Sequence, residues 1–550
     1  MNIRRVGGLS GDFMKTVKIE KQENVLALIN AAVDNDTEIL LEPTVYHLHH
    51  KECIVKTYNI TNSTPQKTAD AFNIPYDHHL MITVDGKKNV VIDGQGAKFI
   101  CHGKMTPFST FDSENVTFKN ITVDYADPTV VEMECLEIGT GYYIMKVHPD
   151  SKYRIKNGKI IWYGEDFEFY DTKHYYHIYY PKDDCIRKDS FGPMADVTAT
   201  YEDLGNRVLK ISHNYVSPNP YNFIVGGIVQ LRDGVRDECG AFFNQSKDIV
   251  VENVTMHFMH GLGFVSQCSE NITLDRVTCA PDPESGRICS CFADGSQFSN
   301  CRGQINITNC RFRGLHDDPV NIHGTYLKIV EAKGNEIIAK FIQPDSFNFN
   351  IFRDGDTIEA RDPEYMLKKG EATVLKSELT DPYHIKLTLD READEFTVGR
   401  VIENRSANPD VYIAGCHSSR VTTKGFLTGT RGKVVIENNT FVNFRRPCVL
   451  LACDTQNWYE SGPVNDVTIR NNIHINCTEE PIYIIKPENT KFSDGDFVNH
   501  NILIENNRAE GGQNAWLYAK STDNIVFKNN VSGFDPLPPI LIGCGKVIYE

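Results

Sequence analysis

The chain lacks several things. It has no run of 18 apolar residues, so no segment reads as a membrane-spanning helix. It has no excess of basic charge: 57 Lys and Arg stand against 73 Asp and Glu, a net charge of −16. That argues against a nucleic-acid or anionic-membrane partner, and mildly for a neutral sugar over a polyuronate. It has no cysteine framework either. The 16 cysteines are scattered, several near repeated positions (Cys268, Cys279, Cys289, Cys291, Cys301, Cys310), as buried small hydrophobes in a reducing compartment would be. Cys289-Ser290-Cys291 has no second pair beside it and reads as core, not as half a metal site. Met1–Gly11 carries two arginines but no apolar stretch behind them, so it is not a secretory signal. The expected location is cytoplasmic, or secreted or periplasmic if a signal has been removed. Helix is scarce: only residues 22–34 read as one, with Val25, Leu26, Leu28, Ile29 and Ala32 on its apolar face, and it is expected to cap the first coil of a repeat.

What the chain has is a repeat. Asn or Asp, then β-formers alternating with period two, then Asn or a small residue, recurs through the sequence. Asn89-Val90-Val91-Ile92-Asp93, Asn271-Ile272-Thr273-Leu274 and Asn524-Ile525-Val526-Phe527-Lys528-Asn529 are examples. The first apolar residue falls at 90, 116, 249, 272, 305, 434, 467, 502 and 525. A strand-sized pattern with steps from 23 to 33 residues implies a solenoid. Asparagine at the strand ends suits left-handed turns and stacked ladders. The predicted fold is all-β, a right-handed parallel β-helix. Two stretches break the period and read as small inserted β domains, barrel-like. The expected division is 1–125 for the N-terminal cap and first coils, 126–232 for an inserted domain, 233–326 for the central coils, 327–408 for a second inserted domain, and 409–550 for the last coils. The second insertion follows the acidic motif directly and is expected to wall the active site.

That motif is Ala293-Asp294-Gly295, then Gly314-Leu315-His316-Asp317-Asp318-Pro319-Val320-Asn321-Ile322-His323-Gly324. Asp294 and Asp317 are one short coil step apart, which stacks them at roughly 4.8 Å in backbone. A turn brings Asp318 to the same patch. Like charges so close raise at least one pKa and leave one acid and one base, the pair that glycoside hydrolysis uses. Taken alone, Asp-Gly and Asp-Asp-Pro are turn sequences, and a carboxylate cluster also suits calcium. The one-coil offset favours catalysis. Trp458, one of three tryptophans, is a candidate sugar platform, and Glu460 a candidate partner for hydroxyls. Arg431, Arg445 and Arg446 read as surface charge. His47, His49 and His50 look like a metal cluster, but only alternate positions share a strand face, so they read as structural or exposed.

These motifs, with Phe298-Ser299-Asn300-Cys301-Arg302-Gly303, Thr325-Tyr326-Leu327, Gly432–Asn439 and Trp458–Gly462, resemble glycoside hydrolase family 110 from about residue 80 to the C-terminus. The resemblance implies a β-helix with inserted β-barrel domains. It implies an exo-acting α-1,3-galactosidase that inverts the anomeric centre, acting on Galα1-3Gal ends and, in some members, on blood-group B structures. The family's three acidic positions fall on Asp294, Asp317 and Asp318. His316, Asn321, His323, Trp458 and Glu460 are then candidate substrate contacts, and no metal or cofactor is expected. The partner is a galactose-terminated glycan. Two alternatives are a polygalacturonase-like hydrolase and a non-catalytic carbohydrate-binding β-helix. The first would place Arg-Ile-Lys after the His-Gly, whereas Arg154-Ile155-Lys156 lies far upstream.

Overall fold

The computed structural model describes residues 3–5, 14–63, 76–170, 176–189, 192–392, 394–493, 495–512 and 514–550. Most of the N-terminal stretch on which the localisation reading rests lies outside them.

The predicted parallel β-helix is the fold. Parallel pairing runs down one 22-stranded sheet and along a 13-stranded sheet facing another side of the coil. All nine repeat markers stand in one stack. Val90 pairs with Val116, Val116 with Ile249, Ile249 with Ile272, and Ile272 with Ile305. Beyond a gap the stack resumes as Val434, Val467, Ile502 and Ile525. Each marker is at most 1% exposed. Between Ile305 and Val434 lies Val411, a further rung whose segment has neither the opening nor the closing asparagine, beginning at Asp410 and ending at Ala414-Gly415.

The asparagines do what the turns require. Asn89, Asn115, Asn271 and Asn524 have φ of 56–57°, the left-handed region that Asn tolerates better than β-branched residues do. Their amides bond from coil to coil, as in Asn115 Nδ2 to Asn89 Oδ1 at 2.8 Å. A second ladder runs inside the core through Asn439, Asn472, Asn507 and Asn530 at 2.9–3.0 Å. Each of these also donates to a backbone carbonyl at the turn, so buried polar groups that would be costly alone are satisfied in series.

Two sets of strands stand off this stack. Val131–Gly139 through Ile228–Leu231 form an open seven-stranded antiparallel sheet with a three-stranded sheet beside it, around their own core of Tyr143, Trp162, Ile211 and Val229. Leu327–Lys333, Glu336–Phe341, Thr357–Arg361, Lys368–Asp381, His384–Leu389 and Val401–Asn404 close into a barrel. The coils on either side of each set pair directly with one another.

The helix covers the apolar stretch itself, Val25–Ala32, rather than the expected 22–34. Asn24 has φ 59° and ψ 27°, a left-handed pair that no α-helix continues, and Val33 is already extended. Leu28 is 38% exposed while Val25, Leu26, Ile29 and Ala32 are buried. The helix does not precede the first coil. It joins two paired coil strands, Lys15–Ile19 and Thr37–Leu41.

Candidate active site

A cleft of about 570 Å³ opens on the 13-stranded sheet, and Asp294, Asp317 and Asp318 line it. Asp294 immediately precedes strand Ser296–Ser299, and Asp317-Asp318 precede Val320–Thr325 on the next coil. The tight path into the second turn needs Gly314: its φ is 81°, and a Cβ there would lie 2.1 Å from the carbonyl oxygen of Ile288. The coil step is 24 residues, not 23, so Asp294 stacks on Asp318 and Asp317 sits diagonally. The backbone N–H of Asp318 donates to Asp294 Oδ1 at 3.1 Å. One carboxylate oxygen from each of the three lies within 4.8 Å of the others.

The next coil completes the floor. Lys424 is 106 residues downstream of Asp318 yet its direct neighbour. Asp318 Oδ1 accepts from the Thr423 hydroxyl at 2.5 Å and from the Lys424 N–H at 3.1 Å, and Lys424 Nζ lies 3.2 Å from Oδ2. The ladder therefore reads carboxyl, carboxylate, ammonium. Burial, then repulsion from Asp317 and Asp318, pushes the Asp294 pKa well above the ordinary range. Asp318 is raised less, to about 6, because Lys424 and the Thr423 hydroxyl oppose its burial. Burial lowers Lys424, but the attraction of Asp318 and Asp317 outweighs it and the net shift is upward. Asp317 is the most exposed of the three carboxyls.

Around this floor the structure brings together Asn321, Trp458 and Glu460. Asn321 is 6% exposed, and its Oδ1 is buried without a protein partner. Trp458 is 49% exposed on a loop gathered by Asp454, whose carboxylate accepts the N–H groups of Gln456, Asn457 and Trp458 at 2.5–3.1 Å. Glu460 pairs antiparallel with Thr325 and places Oε1 3.6 Å from His323 Nε2. The indole and the carboxylates thus offer one apolar face and several polar groups, which is what a sugar presents in reverse.

His316 and His323 do not line the cleft. His316 is 1% exposed, stacks on His177 with ring centroids 3.9 Å apart, and bonds Gln230 Oε1 at 2.8 Å. Burial drives its pKa well below the usual range, so it is a neutral prop between the floor and the seven-stranded sheet. His323 is buried with Nδ1 2.7 Å from the Gly324 carbonyl oxygen, and it acts on the cleft through Glu460. No described residue of 327–408 lines the cleft, so the barrel is not its wall. It braces the wall instead, since the Thr455 hydroxyl donates to the Pro363 carbonyl at 2.7 Å.

Several cleft residues escape local sequence reasoning: Asn62, Lys188, Arg236, Lys424, Arg446 and Lys486. Their neighbours in sequence carry no motif, and they arrive from other coils, from loops or from the first inserted sheet. Arg446 lines the cleft instead of being idle surface charge. Arg431 is 19% exposed and lies 3.8 Å from Glu359 of the barrel, while Arg445 bonds Thr478 and Asp183.

Fold and cleft define the class first: a parallel β-helix protein with a buried carboxyl ladder under an aromatic-flanked groove. Comparison then supplies the family. The chain is 36% identical over 518 residues to alpha-1,3-galactosidase A of Bacteroides thetaiotaomicron, covering 92% of this chain and 89% of that protein. It is 31% identical to alpha-1,3-galactosidase A of Streptomyces avermitilis, covering 91% and 82%, and 30% identical to alpha-1,3-galactosidase B of Phocaeicola vulgatus, covering 91% and 84%. The chain belongs to the α-1,3-galactosidase family. No family model matches it. Among solved structures it is similar to the polygalacturonase of Erwinia carotovora ssp. carotovora, with 11% identity, a TM-score of 0.36 and 100% and 99% of the two chains covered. It is also similar to the family 28 exopolygalacturonase of Yersinia enterocolitica, with 8% identity, a TM-score of 0.35 and 97% and 79% covered.

Proposed function

We propose that the protein is an exo-acting member of glycoside hydrolase family 110 that releases terminal α-1,3-linked galactose with inversion. Galα1-3Gal ends, blood-group B structures included, are the substrates. The observation that carries this is the Asp294–Asp318–Lys424 ladder beneath Asp317, in a cleft flanked by Trp458. Asp318 has both oxygens engaged by Thr423 and Lys424, so it is a poor nucleophile but a well-placed base for a water. Asp294, held neutral by burial, is a poor nucleophile too and positions that water. Asp317, the most accessible carboxyl, is the proton donor to the leaving oxygen.

Two observations favour other assignments of the same site. Inverting pairs stand about 6.5–9.5 Å apart and retaining pairs about 5–5.5 Å, so the close oxygens here match retention better. The raised pKa of Asp294 also suits it to be the acid. One set of measurements separates all three. NMR of the first-formed galactose from a Galα1-3Gal disaccharide should show the β anomer; the α anomer would establish retention. Each Asp→Asn change should lower turnover by about 10²–10⁴-fold. An aryl galactoside with a good leaving group should rescue Asp317→Asn more than the other two, and rescue of Asp294→Asn alone would exchange the roles. Release of galacturonate instead of galactose, or near-normal rates in all three variants, would sink the reading.

A further inference from the structure

His47 and His49 face one way on strand Val45–His49, and the sequence offers no third ligand nearby. The fold brings one. His49 pairs in register with His102 at the end of strand Lys88–His102, and the two rings stack with centroids 4.4 Å apart. From the first inserted set of strands, the turn after Lys159–Gly164 delivers Glu165, whose Oε1 lies 2.9 Å from His102 Nδ1. One donor atom each from His49, His102 and Glu165 lies within 4.8 Å of the others. On the far side of the His102 ring, Nε2 lies 2.8 Å from His47 Nδ1. The three histidines sit on the 22-stranded sheet and Glu165 reaches them from the three-stranded one, whereas the catalytic cleft opens on the 13-stranded sheet.

We propose that His49, His102 and Glu165 form a zinc-class divalent metal site that fastens the inserted domain's hairpin to the first coils of the β-helix.

The donor set of two imidazoles and a carboxylate is one that Zn²⁺ takes with a water as fourth ligand, at about 2.0–2.2 Å from each atom. Ligand atoms on such an ion lie roughly 3.3 Å apart, so the stacked His49 ring must turn its nitrogen edge toward His102 Nδ1 and Glu165 to close on it. Glu165 and His102 are partly exposed, with side-chain accessibilities of 41% and 17%, which gives the ion a way in. His47 fixes the tautomer. If His102 Nδ1 binds the metal, Nε2 carries the proton and donates it to His47 Nδ1, an outer hydrogen bond of the kind that orients metal-bound histidines. The same turn is held a second time, by Asp166 to His50 Nδ1 at 2.7 Å.

Among the described residues, two other clusters could capture a metal: the carboxyls of the cleft and the buried Cys448, His474 and Cys477. The experiment must tell them apart. The full chain is stripped with chelator, loaded with zinc or cobalt, desalted, and assayed for bound metal and for melting temperature. Wild type and a His384→Ala control should retain one equivalent more than His102→Ala and Glu165→Gln. Those two variants should bind at least about 10-fold more weakly, the loss that removal even of an outer partner causes. Zinc should raise the melting temperature of wild type but not of His102→Ala. The cobalt form should show the visible bands of nitrogen and oxygen ligation without a thiolate charge-transfer band. Equal metal retention and equal stabilisation in all four proteins would overturn the proposal and leave His102 and Glu165 as an ion pair. So would a cobalt spectrum with a thiolate band that survives in His102→Ala.

Discussion

Asp294 sits where a charge is least welcome: 6% exposed, beside two other carboxyls, and one coil removed from the only cation in its ladder. A folded-state pKa raised above the unfolded value means that folding favours the protonated form. The penalty for ionising Asp294 is therefore absent below its unfolded pKa of about 3.8 and fully present above its folded pKa. Asn keeps the oxygen that accepts the Asp318 N–H and removes the charge. Asp294→Asn should thus be nearly inactive yet more stable than wild type. Each unit of elevation is worth about 1.36 kcal/mol. The gain in melting temperature should be larger at pH 8 than at pH 5. A variant less stable than wild type at pH 8 would show that Asp294 is not strained by its neighbours. The carboxyls are legible in sequence because each lies in a short motif and the coil step relates the motifs. Their cation is not, because Lys424 is separated from Asp318 by a whole inserted barrel.

The loop from Asp454 to Ser461 shows how one element carries several groups into the cleft. Asp454 gathers three backbone N–H groups, Trp458 stands above the floor, and Glu460 joins the edge of strand Val320–Thr325. Hydrogen bonds to a charged acceptor contribute about 1.5–3 kcal/mol each. Asp454→Ala should release the loop and raise KM on the order of 10-fold, since 1.4 kcal/mol is one such factor. Trp458→Ala should do the same, with kcat less affected in both. A fall in kcat with unchanged KM would mean that the loop serves the chemistry and not the sugar. Trp458 and Glu460 can be picked out as residues, but Asp454 cannot, because its task is turn geometry with no motif. The same limit applies to the helix: its apolar face from Val25 is visible, while its start depends on the left-handed Asn24. His316 is the converse case. It stands in the acidic motif yet faces the inserted sheet, and only the packing of His177 and Gln230 shows it.

At the scale of the molecule, the solenoid is readable because most of its coils repeat one strand pattern with asparagine at its ends. Inserted strands carry no period, so their partners and their side of the coil emerge only in three dimensions. The barrel leaves the stack undisturbed: strand Val320–Thr325 pairs with Phe426–Thr428, and Arg302–Thr308 with Asp410–Ala414, as if nothing lay between them. Inside the barrel the first hairpin turns at the exposed Gly334 and at Asn335, which is tied to Leu389 of the neighbouring strand by bonds of 2.8 and 3.0 Å. A cut between Gly334 and Asn335 leaves both of those bonds on one side of the break. A chain cut after Gly334 would supply Asp294, Asp317 and Asp318 from one polypeptide and Lys424, Trp458 and Glu460 from the other. The seam would be held by the parallel ladders, the barrel strands, the Thr325–Glu460 pairing and ion pairs such as Asp184–Arg420. The two pieces, co-expressed, should elute as one particle and turn over substrate, whereas either alone should be silent. The active centre would then be an assembly of two genes' worth of chain, and a switch could be built by controlling when the halves meet.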